Sequence, residues 1–473
     1  MFSLLLVIIY LSFISLGLPD SLLGSAWPVM YQELNVPLSF SGIVFMIIYL
    51  GTITSSLCSE RVINRYGTGK VTSVSVLLTA LGMLGFSFGH IFILLCLFAI
   101  PYGLGAGSID TALNNFVAIH YKSRHMSWLH CMWGVGASVG PYIMSTMLKY
   151  TNSWKNGYRT VSFIQFGLSL ILFLSLPLWN KKITHTENLK KDEEERKENT
   201  KEKEEEKNSM SSKDEENDKS EKETNSRHSI DIGDIKIDHN TGNIVGNKEK
   251  DESNKECNTL INIEEEEKEE EEEISKTESN PEVLGLKRTF QIPGVLEAAI
   301  CFFCYCAVEQ TIGLWCSSYL VEERDLNEVT AARFASLFYI GITVGRAITG
   351  FVTLRLSDNP IICIGEGIIF IGIIMILIPI GNWIALIGFI LAGLGCAPIF
   401  PCMVHSTPTN VGIDKSQAVI GVEMASASIG ALAMPPLFGV ISKWLGLKFL
   451  PFYLGINLTV MIFMHYRVMK KAI

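Results

Sequence analysis

The chain reads as an all-α integral membrane protein, with twelve transmembrane helices in two six-helix bundles that repeat in parallel. Three observations carry this reading. Outside one polar segment, the 473 residues form a series of apolar runs about 20 residues long or longer, enough to cross a hydrocarbon core of roughly 30 Å as helices. Those runs lack the polar–apolar alternation of barrel strands, which leaves helices as the spanning structure. The chain also repeats itself at a constant offset of 290: Gly103-Leu104-Gly105 returns as Gly393-Leu394-Gly395, Tyr49 and Gly51 as Tyr339 and Gly341, Arg65 as Arg355, and Ala137-Ser138 and Gly140 as Ala427-Ser428 and Gly430. One tripeptide match would be chance. A constant offset through several apolar segments argues for two copies of one unit, and membrane repeats of this kind hold their ligand between the copies.

In the first copy the runs fall at 3–29, 39–60, 70–89, 91–119, 127–150 and 158–179. In the second they fall at 292–320, 330–354, 361–380, 382–407, 416–444 and 447–467. The first run has no basic leader and contains Asp20, so it reads as a membrane helix rather than a cleaved signal peptide. Gly103, Gly105 and Gly107, and again Gly134, Gly136 and Gly140, allow helix backbones to approach closely in lipid. Pro398, Pro401, Pro435 and Pro436 interrupt the second copy, and bent helices at matching depths point to transporter sites.

Charge divides the chain into three parts: 1–180, 181–288 and 289–473. The middle part holds 34 acidic and 21 basic residues, a net of −13, so the overall −9 belongs to it and the remainder is +4. It is low in complexity, nearly all Glu from Glu264 to Glu273, and too poor in apolar side chains to offset the entropy of ordering. Disorder is expected there, either as a tolerated insertion or as a regulatory loop read by a partner or a kinase. Ile230, Ile232, Ile235 and Ile237 form one patterned island within it. With both termini inside, the short cytoplasmic loops and tail carry ten Lys and Arg and the outer side seven; the linker flanks Lys181, Lys182, Lys287 and Arg288 widen that bias. The expectation is a multi-pass protein with both termini and the linker cytoplasmic.

Charged side chains inside the apolar runs are the candidate functional residues, because each costs about 2.5–3.5 kcal/mol at the bilayer centre on insertion scales and so faces a cavity or a partner. Asp20 shares a helical face with Gly17, Gly24 and Trp27. Asp110 stands one turn before Asn114, with Asn115 beside it, and a carboxylate with amides suits hydroxyl groups. His130 and Trp133 are neighbours three residues apart, and an aromatic face suits a sugar ring or a cation. At the 290 offset Asp20 meets Gln310, with Glu309 before it. Asp110 meets Phe400, Asn115 meets His405 and Trp133 meets Glu423. Asp20, Asp110, Glu309 and Glu423 are thus predicted to couple protons and bind solute. Trp27, Asn114, Asn115, His130, Trp133, Gln310, Trp315 and His405 are predicted to line the site. Arg346 needs an acidic partner or a watery cavity, and Glu366 is one candidate.

The loop after the second run, Glu60-Arg61-Val62-Ile63-Asn64-Arg65-Tyr66-Gly67-Thr68-Gly69-Lys70, resembles the cytoplasmic gating motif Asp-Arg-x-Gly-Arg-Arg of the major facilitator superfamily. Arg65 and Gly67 fit, Asn64 stands where Asp is usual, and Glu60 sits one turn earlier. The second copy keeps Arg355 but has Ser357 in place of the Gly. Twelve helices, parallel halves and a long loop after the sixth are similar to the same superfamily. Within it, Gly103 to Asn115 and His125 to Pro141 resemble the fucose–proton-symporter-like sugar transporters. That resemblance implies acidic residues in helices one and four tied to proton coupling and sugar binding, where Asp20 and Asp110 stand. It also implies a cytoplasmic gate of Glu60, Arg61, Arg65 and Gly67. Gly136-Ala137-Ser138-Val139-Gly140-Pro141 instead resembles the helix-five motif of drug–proton antiporters, without the trailing Gly-Gly.

The readings left open are therefore sugar or polar-solute symport, antiport of drug-like solutes, and a transporter-like receptor or scaffold. An enzyme is not expected, because no compact His/Asp or metal-ligand spacing lies at a membrane face. Cys301, Cys304 and Cys306 sit in an apolar helix without a nearby His, so no metal is expected there. The Gly-x-x-x-x-Gly-Lys-Ser/Thr loop of nucleotide-driven pumps is absent. No cofactor and no nucleic-acid partner is expected; the partners are the bilayer, a small solute and protons.

Overall fold

A computed structural model describes residues 4–121, 123–179, 286–353 and 355–471. The low-complexity segment, with its Ile230, Ile232, Ile235 and Ile237 island, lies outside the described residues. The first copy comprises α1 (Leu4–Asp20), α2 (Leu22–Glu33), α3 (Ser41–Tyr66), α4 (Thr68–Ser87), α5 (Phe92–His120), α6 (Ser123–Thr151) and α7 (Trp154–Leu174). After a short helix α8 (Leu286–Thr289), the second comprises α9 (Val295–Glu322), α10 (Glu328–Val352), α11 (Asp358–Leu377), α12 (Asn382–Val411), α13 (Ile413–Leu445) and α14 (Leu450–Lys471). Among the described residues, eleven helical stretches are long and apolar enough to cross a membrane. α6, 29 residues long and more polar, is not among them, although it stands at the position of the fifth apolar run, 127–150. Large apolar side chains such as Ile93, Leu97, Ile364, Phe370 and Ile371 are exposed on the outer faces, a liability in water and the expected surface in lipid.

α1 and α2 form one span, Leu4–Glu33, interrupted at Ser21. The cause is Pro19, which has no N–H to return to the carbonyl four residues earlier. That carbonyl belongs to Ser15, and a fully buried side chain from α7 satisfies it: Gln165 Nε2 donates to Ser15 O at 2.9 Å, while Gln165 Oε1 accepts from Thr79 Oγ1 at 2.7 Å. We expect Gln165→Leu, which leaves the Ser15 carbonyl unpaired in a dry core while Thr79 Oγ1 keeps its bond to Val76 O at 2.8 Å, to destabilise the fold by about 1–3 kcal/mol. Unfolding of the purified protein in detergent measures this.

The repeat is also present in the packing. A Cβ on Gly103 would strike the carbonyl of Ile48, and a Cβ on Gly393 would strike that of Phe338, which is Ile48 shifted by 290. Gly51 abuts Leu104 and Gly103, and Gly341 abuts Leu394 and Gly393. The glycines repeat because the same pairs of helices cross backbone to backbone in both copies. At Gly67 the demand is conformational: φ is +81°, with no atom near enough to crowd a side chain. The turn from α3 into α4 needs a residue tolerant of that region.

Candidate functional site

A cavity of about 680 Å³ lies between the two copies. Its wall takes side chains from α1, α3 and α5 and from Trp133 of α6 on one side, and from α9, α10, α12 and α13 on the other. Seven of the predicted residues line it: Asp20, Asp110, Asn114, Asn115, Trp133, Glu309 and Gln310. Of the positions paired by the 290 offset, Asp20 and Gln310 both face it, as do Asp110 and Phe400.

Asp20 is exposed, although it lies deep within the first span, because it opens on the cavity. Tyr102 Oη donates to its Oδ1 at 2.6 Å, and Trp133 Nε1 donates to its Oδ2 at 2.8 Å. The Trp133 indole is shared. Its edge serves Asp20, while its face carries the Arg346 guanidinium 5.1 Å from the ring centroid, a cation–π contact. Arg346 in turn lies 4.0 Å from Glu309 Oε1 and donates to the backbone oxygen of His130 at 3.1 Å. Asp20, Trp133, Arg346 and Glu309 thus form one polar chain that crosses from the first copy to the second. Nearby, Asn114 Nδ2 donates to Asp110 Oδ1 at 3.0 Å, while Asn114 Oδ1 is buried without a donor. An orphaned acceptor at a cavity wall is the kind of group that a ligand or water fills.

Removing one member of this chain leaves a charge uncompensated. We expect Arg346→Met to lower stability by about 3–5 kcal/mol, the range for breaking one side of a buried pair. Adding Glu309→Gln recovers part of the loss, because the stranded carboxylate is gone. A double-mutant cycle on detergent melting measures the coupling.

Five predicted residues lie away from the cavity. Trp27 is fully buried and donates through Nε1 to Leu38 O at 2.6 Å; Trp315 is fully buried and donates to Pro435 O at 2.9 Å. Each indole found a backbone acceptor between helices, which is the ordinary use of a buried Trp. His130 contributes its backbone oxygen to Arg346 and sets its ring edge-on to Phe13 at 5.8 Å. His405 is exposed and pairs through Nδ1 with Asp358 Oδ2 at 2.7 Å. Glu423 is buried, accepts from Thr407 Oγ1 at 3.0 and 3.1 Å, and lines a separate small pocket with Gly294 and Asn410. Glu366 does not partner Arg346; it faces His465 on α14. Along the gating loop, Arg61 and Arg65 are exposed, with Arg65 set 5.5 Å above the Tyr66 ring. The Glu60 side chain lies outside the described residues.

Several wall residues were not singled out from sequence as site residues, among them Thr52, Tyr102, Tyr158 and the pair Tyr49 and Tyr339. The last two carried a usable signal, since they are 290 apart and were already among the repeat matches.

The two copies meet at the end carrying Glu33 and Glu322. Tyr31 Oη donates to Glu322 Oε1 at 2.8 Å, Ser317 Oγ donates to Ser25 O at 3.4 Å, and Gly24 of α2 lies against the Gly313 carbonyl of α9.

Comparisons with known proteins agree with this architecture. The model of the Major Facilitator Superfamily matches residues 9–213 and 298–471. "Bypass of stop codon protein 6" of Saccharomyces cerevisiae is 21% identical over 460 residues, covering 93% of this chain and 77% of that protein. The glucose/mannose transporter GlcP of Bacillus subtilis is 23% identical over 172 residues, covering 35% of this chain and 42% of that one. The partially occluded, inward-open structure of the xylose transporter XylE from E. coli superposes with a TM-score of 0.63 at 9% identity, covering 98% of both chains, which is a likeness of fold. A family match over most of the chain, the repeated helical halves and a polar cavity between them lead to one conclusion: the chain belongs to the Major Facilitator Superfamily and is a multi-pass membrane protein of the secondary-transporter class.

Proposed function

We propose that the protein carries a sugar or a chemically related polar solute across its membrane by alternating access, in symport with protons. The observation that carries this reading is the composition of the cavity wall. Carboxylates Asp20 and Asp110 and the amides Asn114, Asn115 and Gln310 stand beside the aromatic faces of Tyr49, Trp133, Tyr339 and Phe400. Hydroxyl-rich rings are held by that combination: amides and carboxylates take the hydroxyls, and aromatic faces take the C–H surface. A volume of about 680 Å³ falls within the roughly 300–1,000 Å³ of small-molecule sites. The stretch of similarity to a protein named as a glucose/mannose transporter supports the same class.

In this reading the copies 1–180 and 289–473 rock about the cavity, and Asp20 takes up a proton with solute and releases it on the other side. Asp110 and Asn114 contact solute, while Glu309, also on the wall, is paired with Arg346. Direct contact with solute is not assigned to Trp27, His130, Trp315, His405 or Glu423, which lie outside the cavity wall. The Lys and Arg bias supports cytoplasmic termini, with Arg61, Arg65 and Gly67 at the cytoplasmic gate and the acidic linker on the same side for a regulatory partner or kinase. The helix-five glycines need no antiporter role: Gly136 lies against the Ile14 carbonyl and Gly140 against that of Leu18, so close packing accounts for both.

Uptake of labelled hexoses and pentoses into proteoliposomes tests the proposal. Saturable uptake that rises with an imposed inward proton gradient and collapses with a protonophore is expected. Sugar-independent efflux of organic cations driven by protons would replace symport with antiport. Binding of a sugar without any flux would favour a receptor.

A further inference from the structure

Away from the cavity, three side chains with metal-ligating atoms meet at the interface of α11 and α14. Cys363 and Glu366 stand three apart on α11 and so share one face, and His465 reaches them from α14. One ligand atom from each lies within 4.8 Å of the others. Glu366 and His465 are 4% and 3% exposed. His465 Nδ1 is 3.2 Å from Glu366 Oε1, yet that oxygen accepts no hydrogen bond, and His465 Nε2 is buried without a partner. The two can pair by charge when His465 is protonated, but with a neutral imidazole the buried carboxylate oxygen has no aligned donor, a costly arrangement unless something else satisfies it.

The separation fits a shared cation. With Zn–N and Zn–O of about 2.0–2.1 Å at a tetrahedral centre, two ligand atoms stand roughly 3.3 Å apart, and a thiolate sulfur at about 2.3 Å stands roughly 3.6 Å from either. The donor set is one imidazole, one carboxylate and one thiolate, the mixture that suits a borderline divalent ion rather than Mg²⁺ or Ca²⁺. A dipositive ion is neutralised by the thiolate and the carboxylate, so the filled site carries no net charge into the low-dielectric interface. Sequence gave no warning of it, because Glu366 and His465 are 99 residues apart and the ligands converge only when the two helices pack.

We propose that Cys363, Glu366 and His465 form a binding site for a divalent transition-metal ion of the zinc class, with the fourth position open to water. Binding displaces the thiol proton of Cys363, engages neutral His465 through Nδ1, and pins α14 to α11. This site is separate from the solute cavity and does not depend on which solute the cavity takes.

The test uses the full-length protein in detergent, stripped with a chelator and then exposed to ZnCl₂ or CoCl₂ alone. One metal per chain is expected after desalting, with a thiolate-to-cobalt charge-transfer band and a higher melting temperature in zinc. Cys363→Ser should remove the band and weaken zinc binding by at least about tenfold, the lower range seen for disturbing a metal's ligand sphere. Because Cys363 is exposed, the metal-free variant should melt as the parent does. Glu366→Gln should weaken zinc in the same way, whereas Cys58→Ser, at another exposed cysteine, should change nothing. Failure to take up zinc, or uptake and a cobalt band that survive in Cys363→Ser, overturns the site.

Discussion

Asp20→Asn is expected to lose gradient-driven accumulation while keeping solute exchange. The substitution preserves shape and local bonding. Asn Oδ1 can accept from Trp133 Nε1, and its amide can donate to Tyr102 Oη, since a phenol both donates and accepts. The variant cannot bind a proton or carry charge. Coupling between two ligands of one transporter is a free energy, commonly about 1–3 kcal/mol, so its removal should lower the concentration ratio reached under a pH gradient by about 5–150-fold. Counterflow of labelled against unlabelled solute, which needs no gradient, should persist within a few-fold. Accumulation at the parental level in a folded Asp20→Asn protein would sink the coupling role. Loss of counterflow as well would mean that Asp20 holds the solute itself.

Gly24→Val should abolish net transport through a different cause. Gly24 of α2 lies against Gly313 and Leu314 of α9, and a Cβ there would strike the Gly313 carbonyl and stand 3.0 Å from that of Leu314. Neither partner is a side chain that can turn aside, so the two backbones must separate. Overpacking of this kind costs about 1–3 kcal/mol, and here the cost falls only on conformations in which the halves meet at that end. The bond from Tyr31 to Glu322 lies in the same closure. The fold within each copy is untouched, so the variant should purify as a monodisperse species while that end stays open. Thiol labelling of Ser428→Cys, on the cavity wall, from the Glu322 side reads the opening. Gly421→Val, where no atom lies within reach of a Cβ, serves as a control that transports normally. Parental transport by Gly24→Val would show that this crossing does not close during the cycle.

Much of the site was legible because a charge in an apolar run has few stable outcomes. Asp20, Asp110 and Glu309 stood out for that reason, Asn114, Asn115 and Trp133 followed from their helical neighbours, and Gln310 followed from the 290-residue offset; all of them reached the cavity wall. Arg346 was legible as a residue that needed a partner, but its partner was not. Glu366 and Glu309 were equally available in sequence, and helix packing chose Glu309 and sent Glu366 to His465. The aromatic residues divided without warning. Trp27 and Trp315 look like ligand platforms in a linear reading, yet each indole N–H found a carbonyl inside the helix packing. Tyr102, which reads as an ordinary apolar-helix residue, became the donor to Asp20. His405 and Glu423 occupy repeat positions of Asn115 and Trp133, but the copies are not symmetric at those depths and neither reaches the cavity.

Hydropathy over about 20 residues is a local property that a bilayer reads one segment at a time, so the count of helices and the polar residues within them were written along the chain. The 290-residue offset added that the halves share one packing scheme, since a glycine needed at a backbone crossing is needed twice. What the tertiary structure alone decided were the contacts between distant helices: the donors to Asp20, the acidic neighbour of Arg346, the acceptor that receives each Trp, and the meeting of Cys363, Glu366 and His465. Those depend on helix rotation and crossing. Half a turn about a helix axis moves a side chain from lipid to cavity without changing any property of the sequence.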